Sequence, residues 1–250
     1  MSILKLVKQL VMKPWKQGTV ISSFSRYPKF FSQFKKYKSR SRENVPLNSI
    51  NLQLEDVTTE TPFDAHYFYQ SAWCARKIAL HRPNHHVDIA SQINFIAPLS
   101  AFVEVEFIDF RPLNVNLSNL TSIAGTITNL PYSDKSTESL SCLHVIEHIG
   151  LGRYGDDIDP DGNKKACKEL QRVLAVDGNL YLSTPIGKER VEFNAHRVHS
   201  CKTILQFFNE LKLINFSYVD DAGMYVENST IEISDSFNYG VGLFHFRRIV

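Results

Sequence analysis

SLSCLHVIEHIG, residues 139–150, decides how the rest of the chain is read. Ser139 to Leu143 is short and mostly apolar, the pattern of a buried strand. Val145 to Ile149 then has the pattern of a helix start. If a helix begins there, His144, Glu147 and His148 fall at i, i+3 and i+4 and share one face. That face would emerge at the carboxyl end of a strand, where open α/β sheets bind ligands. Two imidazoles and a carboxylate placed there suit catalytic proton transfer. The same spacing also fits an amphipathic helix start with solvated polar residues.

Working outward, strands and helices alternate from residue 85 onward. Strands are expected at 85–90, 103–109, near 121–127, at 139–143 and 179–185, and late at 216–221 and 240–249. Helices are expected within 91–102, 163–174 and 201–211. Alternation of this kind predicts a parallel sheet covered on both faces. Upstream, Thr61-Pro62-Phe63-Asp64 reads as a helix start with Thr61 as N-cap, and an aromatic-rich helix follows to about Leu80. Within it His66 reads as a packed histidine.

Composition divides the chain. Residues 1–42 carry 11 Lys/Arg and no acid, and the remainder holds 17 bases against 26 acids. Apolar and aromatic residues interleave with the bases over 2–12 and 24–38. That mix suits an anionic membrane surface, nucleic acid, a partner subunit, or an arm docked on its own domain. The expected organisation is a basic amphipathic arm and linker over 1–60 and one α/β domain over 61–250. Four cysteines without a CxxC pair are expected to be reduced core thiols, which points to the cytoplasm. No run approaches the ~18 apolar residues of a membrane span, and the N-terminus lacks the pattern of a cleaved signal.

Asp88 and Asp109 stand at the ends of the first two strands of the α/β pattern, 21 residues apart. An acid about 20 residues beyond the first strand–helix turn hydrogen-bonds a ribose in dinucleotide-binding folds. Asp109 is therefore a candidate ribose ligand; a strand-end acid capping the next turn is the other reading. DIDPDG at 157–162 resembles the start of a calcium loop, but Lys168 occupies the position that needs Glu.

TITNLPYSDKSTESL, then KELQRVLAVDGNLYLSTP, following the two strand-end acids, resemble the motifs of class I S-adenosylmethionine-dependent methyltransferases. The segments at 66–70, 144–156 and 191–197 resemble an uncharacterised methyltransferase-like branch of that group. The resemblance implies a Rossmann-like fold, with a mostly parallel seven-stranded sheet, helices on both faces and an N-terminal helical arm. It also implies S-adenosylmethionine as cofactor, held by Asp88, Ala90, Ser91, Asp109, the Thr126 hydroxyl and the Ile127 backbone. One departure is plain: Ala90 stands where this group places a glycine that lets backbone approach the cofactor.

His144, Glu147 and His148 resemble the E-x-x-E-H of some O-methyltransferases, with His in place of the first Glu. That resemblance implies a divalent metal held by His144, Glu147, His148 and His196, with His199 in reserve. Imidazole-rich ligation favours zinc, iron or manganese over magnesium. Without metal, His144 or His148 is the candidate general base. Arg153, Tyr154 and Asp156 are candidate acceptor contacts. The expected reaction is methylation of a hydroxyl on a sugar, glycan or small polar acceptor, in the cytoplasm or peripheral to the inner face of a membrane. Nucleic acid is not the expected partner. The rivals are a cofactor-binding protein without transfer activity and a membrane-associated structural subunit.

Overall fold

The structure, a computed structural model, describes residues 26–54 and 56–250. The chain divides into two compact units, Met1–Phe63 and Asp64–Val250. The apolar stretch at 2–12 lies outside the described residues. In the first unit, α1 (Tyr27–Arg40) places its aromatic residues at helical spacing on one side. Tyr27, Phe30 and Phe34 pack with Ile50, Leu52 and Leu54 of the following extended segment, and the Arg26 guanidinium donates to the Leu54 carbonyl at 2.9 Å. The aromatic side of this helix is thus partly occupied within its own unit. Phe31 and Tyr37 stay exposed, as do Lys29, Lys35, Lys36, Lys38 and Arg40. No described helix is long and apolar enough to cross a membrane.

The second unit opens with α2 (Ala65–His81). Its N-cap is Asp64, whose carboxylate accepts the Tyr67 N–H, rather than Thr61. A carboxylate directly before the first turn satisfies one of its free donors, and the Thr-Pro pair stays outside. In order there follow β1 (His85–Ile89), α3 (Ile93–Leu99), β2 (Glu104–Asp109), β3 (Leu120–Ala124) and β4 (Thr137–Leu143). Then come α4 (Gly162–Val173), β5 (Leu174–Ile186), β6 (Arg190–Glu192), β7 (His196–Val198), α5 (Cys201–Phe207), β8 (Lys212–Val219), β9 (Tyr225–Val226) and β10 (Gly240–Arg247).

The main sheet has the order β3-β2-β1-β4-β5-β10-β8-β9. Its first five strands are parallel, and β10 returns antiparallel between β5 and β8. Eight strands rather than seven arise because the short β9 adds to β8. β6 and β7 form a separate hairpin that the sequence pattern does not reveal.

Strand side chains alternate between two core layers. Leu140, Cys142, Leu180, Leu182, Phe244 and Phe246 join residues of α4 and α5 in one layer. Leu143, Tyr181, Val241 and Leu243 join residues of α2 and α3 in the other. The four cysteines are buried and unbridged. The order steps from β1 to β2 on one side and from β1 to β4 on the other. The carboxyl ends of those three strands therefore flank a crevice, where such sheets bind ligands.

Candidate functional site

A cavity of about 550 Å³ opens at that crevice, within the roughly 300–1,000 Å³ of small-molecule sites. Ile89, Ala90, Asp109, Thr126, Ile127, His144 and His148 are among the residues that line it. Ala90 follows β1 with φ +53°, a left-handed conformation that disfavours any residue with a Cβ. Its N–H donates to the Ile108 carbonyl at 2.8 Å. Asp109 ends β2 half-buried. One of its carboxylate oxygens accepts the Arg111 N–H at 2.7 Å, which leaves the other for a ligand hydroxyl. Beyond β3, the Thr126 hydroxyl shares a 3.0 Å bond with that of Thr128.

Asp88 and Ser91 do not line the cavity. Asp88 is fully buried, and its carboxylate accepts the Ser91 N–H at 3.0 Å and the Ser141 hydroxyl. Ser91 Oγ accepts the Leu143 N–H at 3.0 Å. Both side chains are committed to the turn itself, so the expectation of direct cofactor contact is corrected for these two.

At the end of β4 the expected helix is absent. A single 3-10 turn, Ile146–His148, is followed by a loop whose Gly150, Gly152 and Gly155 all have positive φ. At Gly150 a Cβ would meet the Asp159 carbonyl oxygen at 2.0 Å, so glycine is required for the tight turn. Asp156 gathers this loop, accepting from the N–H groups of Gly150 at 2.8 Å and Tyr154 at 3.2 Å. Burial raises the Asp156 carboxyl, but these backbone donors outweigh it and hold it below its usual range. The buried Arg197 guanidinium donates to the Ile149 carbonyl at 2.6 Å and fixes the turn from the other side.

The short turn still brings the three residues together. His144 has φ +56°, a position where bulky residues are strained. Its Nδ1–H donates to Glu147 Oε1 at 2.6 Å. Glu147 is fully buried. Burial pushes its carboxyl up, but the neighbouring His144, with its hydrogen bond, and His148 outweigh that and hold it below the ordinary range. A carboxylate on Nδ1 leaves His144 Nε2 as a lone-pair acceptor. That atom is buried and has no hydrogen-bond partner. His148 donates from Nδ1 to the Ala195 carbonyl at 2.6 Å, and burial lowers its basicity.

The four expected metal ligands lie near one another without forming a metal site. His148 Nε2 is 3.8 Å from Glu147 Oε1, and the His148 and His196 rings are 6.5 Å apart. Among the described residues no group of three or more His, Cys, Asp or Glu side chains is arranged to hold an ion. Glu147 is spent on His144 Nδ1, and His196 does not line the cavity but faces Glu192 at 3.5 Å. His199 accepts from the Asn163 amide at 3.1 Å.

Of the expected acceptor contacts, Tyr154 and Asp156 line the cavity and Arg153 does not. Arg153 donates to the Ala195 carbonyl at 3.2 Å. The guanidinium groups of Arg111 and Arg153 lie 4.9 and 5.1 Å from the centre of the Tyr154 ring. Sequence reasoning passed over Arg111, Tyr67 and Tyr239. His66 stacks on His144 at 5.8 Å, Tyr67 lies 5.2 Å from His144, and Tyr239 lies 5.5 Å from His66 and 5.1 Å from His196. The only signal for His66 and Tyr67 is the HYFYQ segment; Arg111 and Tyr239 leave none.

Known proteins share this fold. The chain superposes on the [4+2]-cyclase SpnF with a TM-score of 0.52 at 10% identity, covering 73% of this chain and 81% of that one. A putative sarcosine dimethylglycine methyltransferase from Galdieria sulphuraria gives 0.52 at 11% identity, with 73% and 86% covered. The N-methyltransferase NodS from Bradyrhizobium japonicum WM9, in complex with S-adenosyl-L-homocysteine, gives 0.52 at 12% identity, with 73% and 87% covered. Comparison with curated protein sequences finds no match. The fold is that of class I methyltransferases. A family profile matches residues 115–240, half of the chain, and with it the chain belongs to the family described as Caenorhabditis protein of unknown function, DUF268.

Proposed function

We propose that the protein is an S-adenosylmethionine-dependent methyltransferase acting on a hydroxyl, with His144 as general base and Glu147 as its positioning partner. One observation carries the reading: His144, whose Nε2 is buried without a hydrogen-bond partner among the described residues, lines the same cavity as Asp109, Thr126 and Ile127. Ala90, Asp109, Thr126 and Ile127 are the residues that would hold the cofactor, which when bound supplies an electrophilic methyl group. The volume of the cavity and the available oxygen of Asp109 support the fit.

The chain's part in the reaction is proton management. With cofactor bound, the acceptor oxygen would gain the methyl group as the methyl–sulfur bond breaks and S-adenosylhomocysteine leaves, while His144 Nε2 would take the hydroxyl proton and the Glu147 carboxylate would stabilise the imidazolium that results. General-base assistance of this kind contributes roughly 10²–10⁴-fold. With Glu147 already engaged on Nδ1, the proposed route runs through His144 Nε2. A sugar or glycan is the acceptor class we favour. The Tyr154 ring, already flanked by the Arg111 and Arg153 guanidinium groups, borders the cavity, and exposed Asp157 on the same cavity can accept from hydroxyls. We further propose the exposed bases of α1 as a contact for an anionic lipid surface.

The neighbours show why transfer must be tested: one protein of this fold bears the name of a cyclase. Incubation with methyl-labelled S-adenosylmethionine and a panel of polyhydroxyl acceptors should label an acceptor in the wild type and far less in His144→Ala. Cofactor binding with no labelled acceptor would favour the binding-protein reading.

A further inference from the structure

The mechanism leaves a buried polar lane unused. β1 and β4 are parallel with Asp88 opposite Ser141, so His86, Asp88, Ser139 and Ser141 project side by side toward α2. All four are buried, in a layer otherwise built from Trp73, Cys74, Leu143 and Tyr181. Polar groups in such a layer are costly unless every one is bonded.

They are bonded, and in one direction. The Asp88 carboxylate only accepts, so the Ser141 hydroxyl donates to it. With its proton committed, Ser141 Oγ accepts from His86 Nε2–H at 2.8 Å. His86 Nδ1 is then the lone-pair nitrogen and accepts from the Ser139 hydroxyl at 2.7 Å. The other Asp88 oxygen takes the Ser91 N–H, and Ser91 Oγ takes the Leu143 N–H. The lane therefore ends on the turn that holds Ala90 at φ +53°.

We propose that the Ser139–His86–Ser141–Asp88 lane is a positioning device that holds the left-handed Ala90 turn in the shape the cofactor requires, a shape glycine would adopt without help. This rests on the cofactor reading above. An alanine in this conformation is disfavoured by an amount equivalent to about 5- to 30-fold in an equilibrium, and the bonds to Asp88 and Ser91 offset it.

The test is a double-mutant cycle in the full chain. Ser141→Ala should weaken S-adenosylhomocysteine binding by about 5- to 30-fold and speed amide exchange at Ser91. Asp88→Asn, which keeps size but presents an amide to one of two donors, should do the same. In an Ala90→Gly background both losses should shrink to roughly twofold, because the turn no longer depends on the lane. Equal losses in the wild-type and A90G backgrounds would overturn the proposal and leave the lane merely structural. If the wild type binds no S-adenosylhomocysteine, the cofactor reading fails. Exchange at Ser91 then decides the lane separately: faster in S141A and restored by A90G supports it, and unchanged exchange overturns it. Melting curves of each variant exclude global unfolding as the cause.

Discussion

Glu147→Gln changes one charge at the centre of the site and almost no volume. The amide oxygen of the substituted side chain can still accept the His144 Nδ1–H, so the ring stays oriented. What is lost is the negative charge that favours the imidazolium formed during transfer. A hydrogen bond to a charged group is worth about 1.5–3 kcal/mol against about 0.5–1.5 kcal/mol for a neutral one, a difference of about 1–1.5 kcal/mol, so kcat should fall roughly 5- to 13-fold while cofactor affinity stays within about twofold, since Glu147 does not line the cavity. Stability gives a second readout. The folded protein holds Glu147 below its ordinary value of about 4.5 because of His144 and His148. The sign follows from linkage: a lowered carboxyl contributes stability above its unfolded value and loses it as pH falls through the folded one. E147Q should therefore melt below the wild type at pH 7, and the gap should close on acidification below about pH 4.5. An unchanged kcat at saturating substrates would refute the dyad, whatever the melting curves show.

Asp109→Ala should weaken S-adenosylhomocysteine binding about 10- to 150-fold without lowering the melting temperature; calorimetry and a thermal melt check both. Reversing Lys29, Lys36 and Arg40 to Glu should abolish sedimentation of the full chain with vesicles containing phosphatidylserine and leave neutral vesicles unbound throughout. Equal sedimentation of both proteins would end the lipid proposal for this helix. Prolonged chelation followed by gel filtration should leave methyl transfer undiminished, and a loss restored by zinc or manganese would move the chemistry from His144 alone to a metal.

The parallel strands were legible because their apolar runs are short and bounded by turns, and because alternating helices leave few topologies. Asp109, Thr126 and Ile127 were legible as cavity residues because strand ends in such a sheet converge. The order of residues does not report local backbone conformation, and the errors cluster there. Residues 144–148 have helical spacing, yet Gly150 and the left-handed His144 end the turn at once. Thr61 looked like a cap because Pro62 follows it, while Asp64 sits where its carboxylate reaches Tyr67 N–H. Asp88 and Ser91 stand beside the cavity in sequence and face away from it, since alternation on β1 turns Asp88 toward α2. Tyr239 and Arg111 arrive at the site from remote loops, and no spacing rule connects them to His144.

The measurement closest to the central claim is calorimetric titration of the full chain with S-adenosylmethionine and S-adenosylhomocysteine at pH 7. The account predicts saturable binding of both at one site per chain, reduced by D109A and retained by E147Q. Absence of saturable heat for either compound, from protein with a cooperative melt, would contradict it.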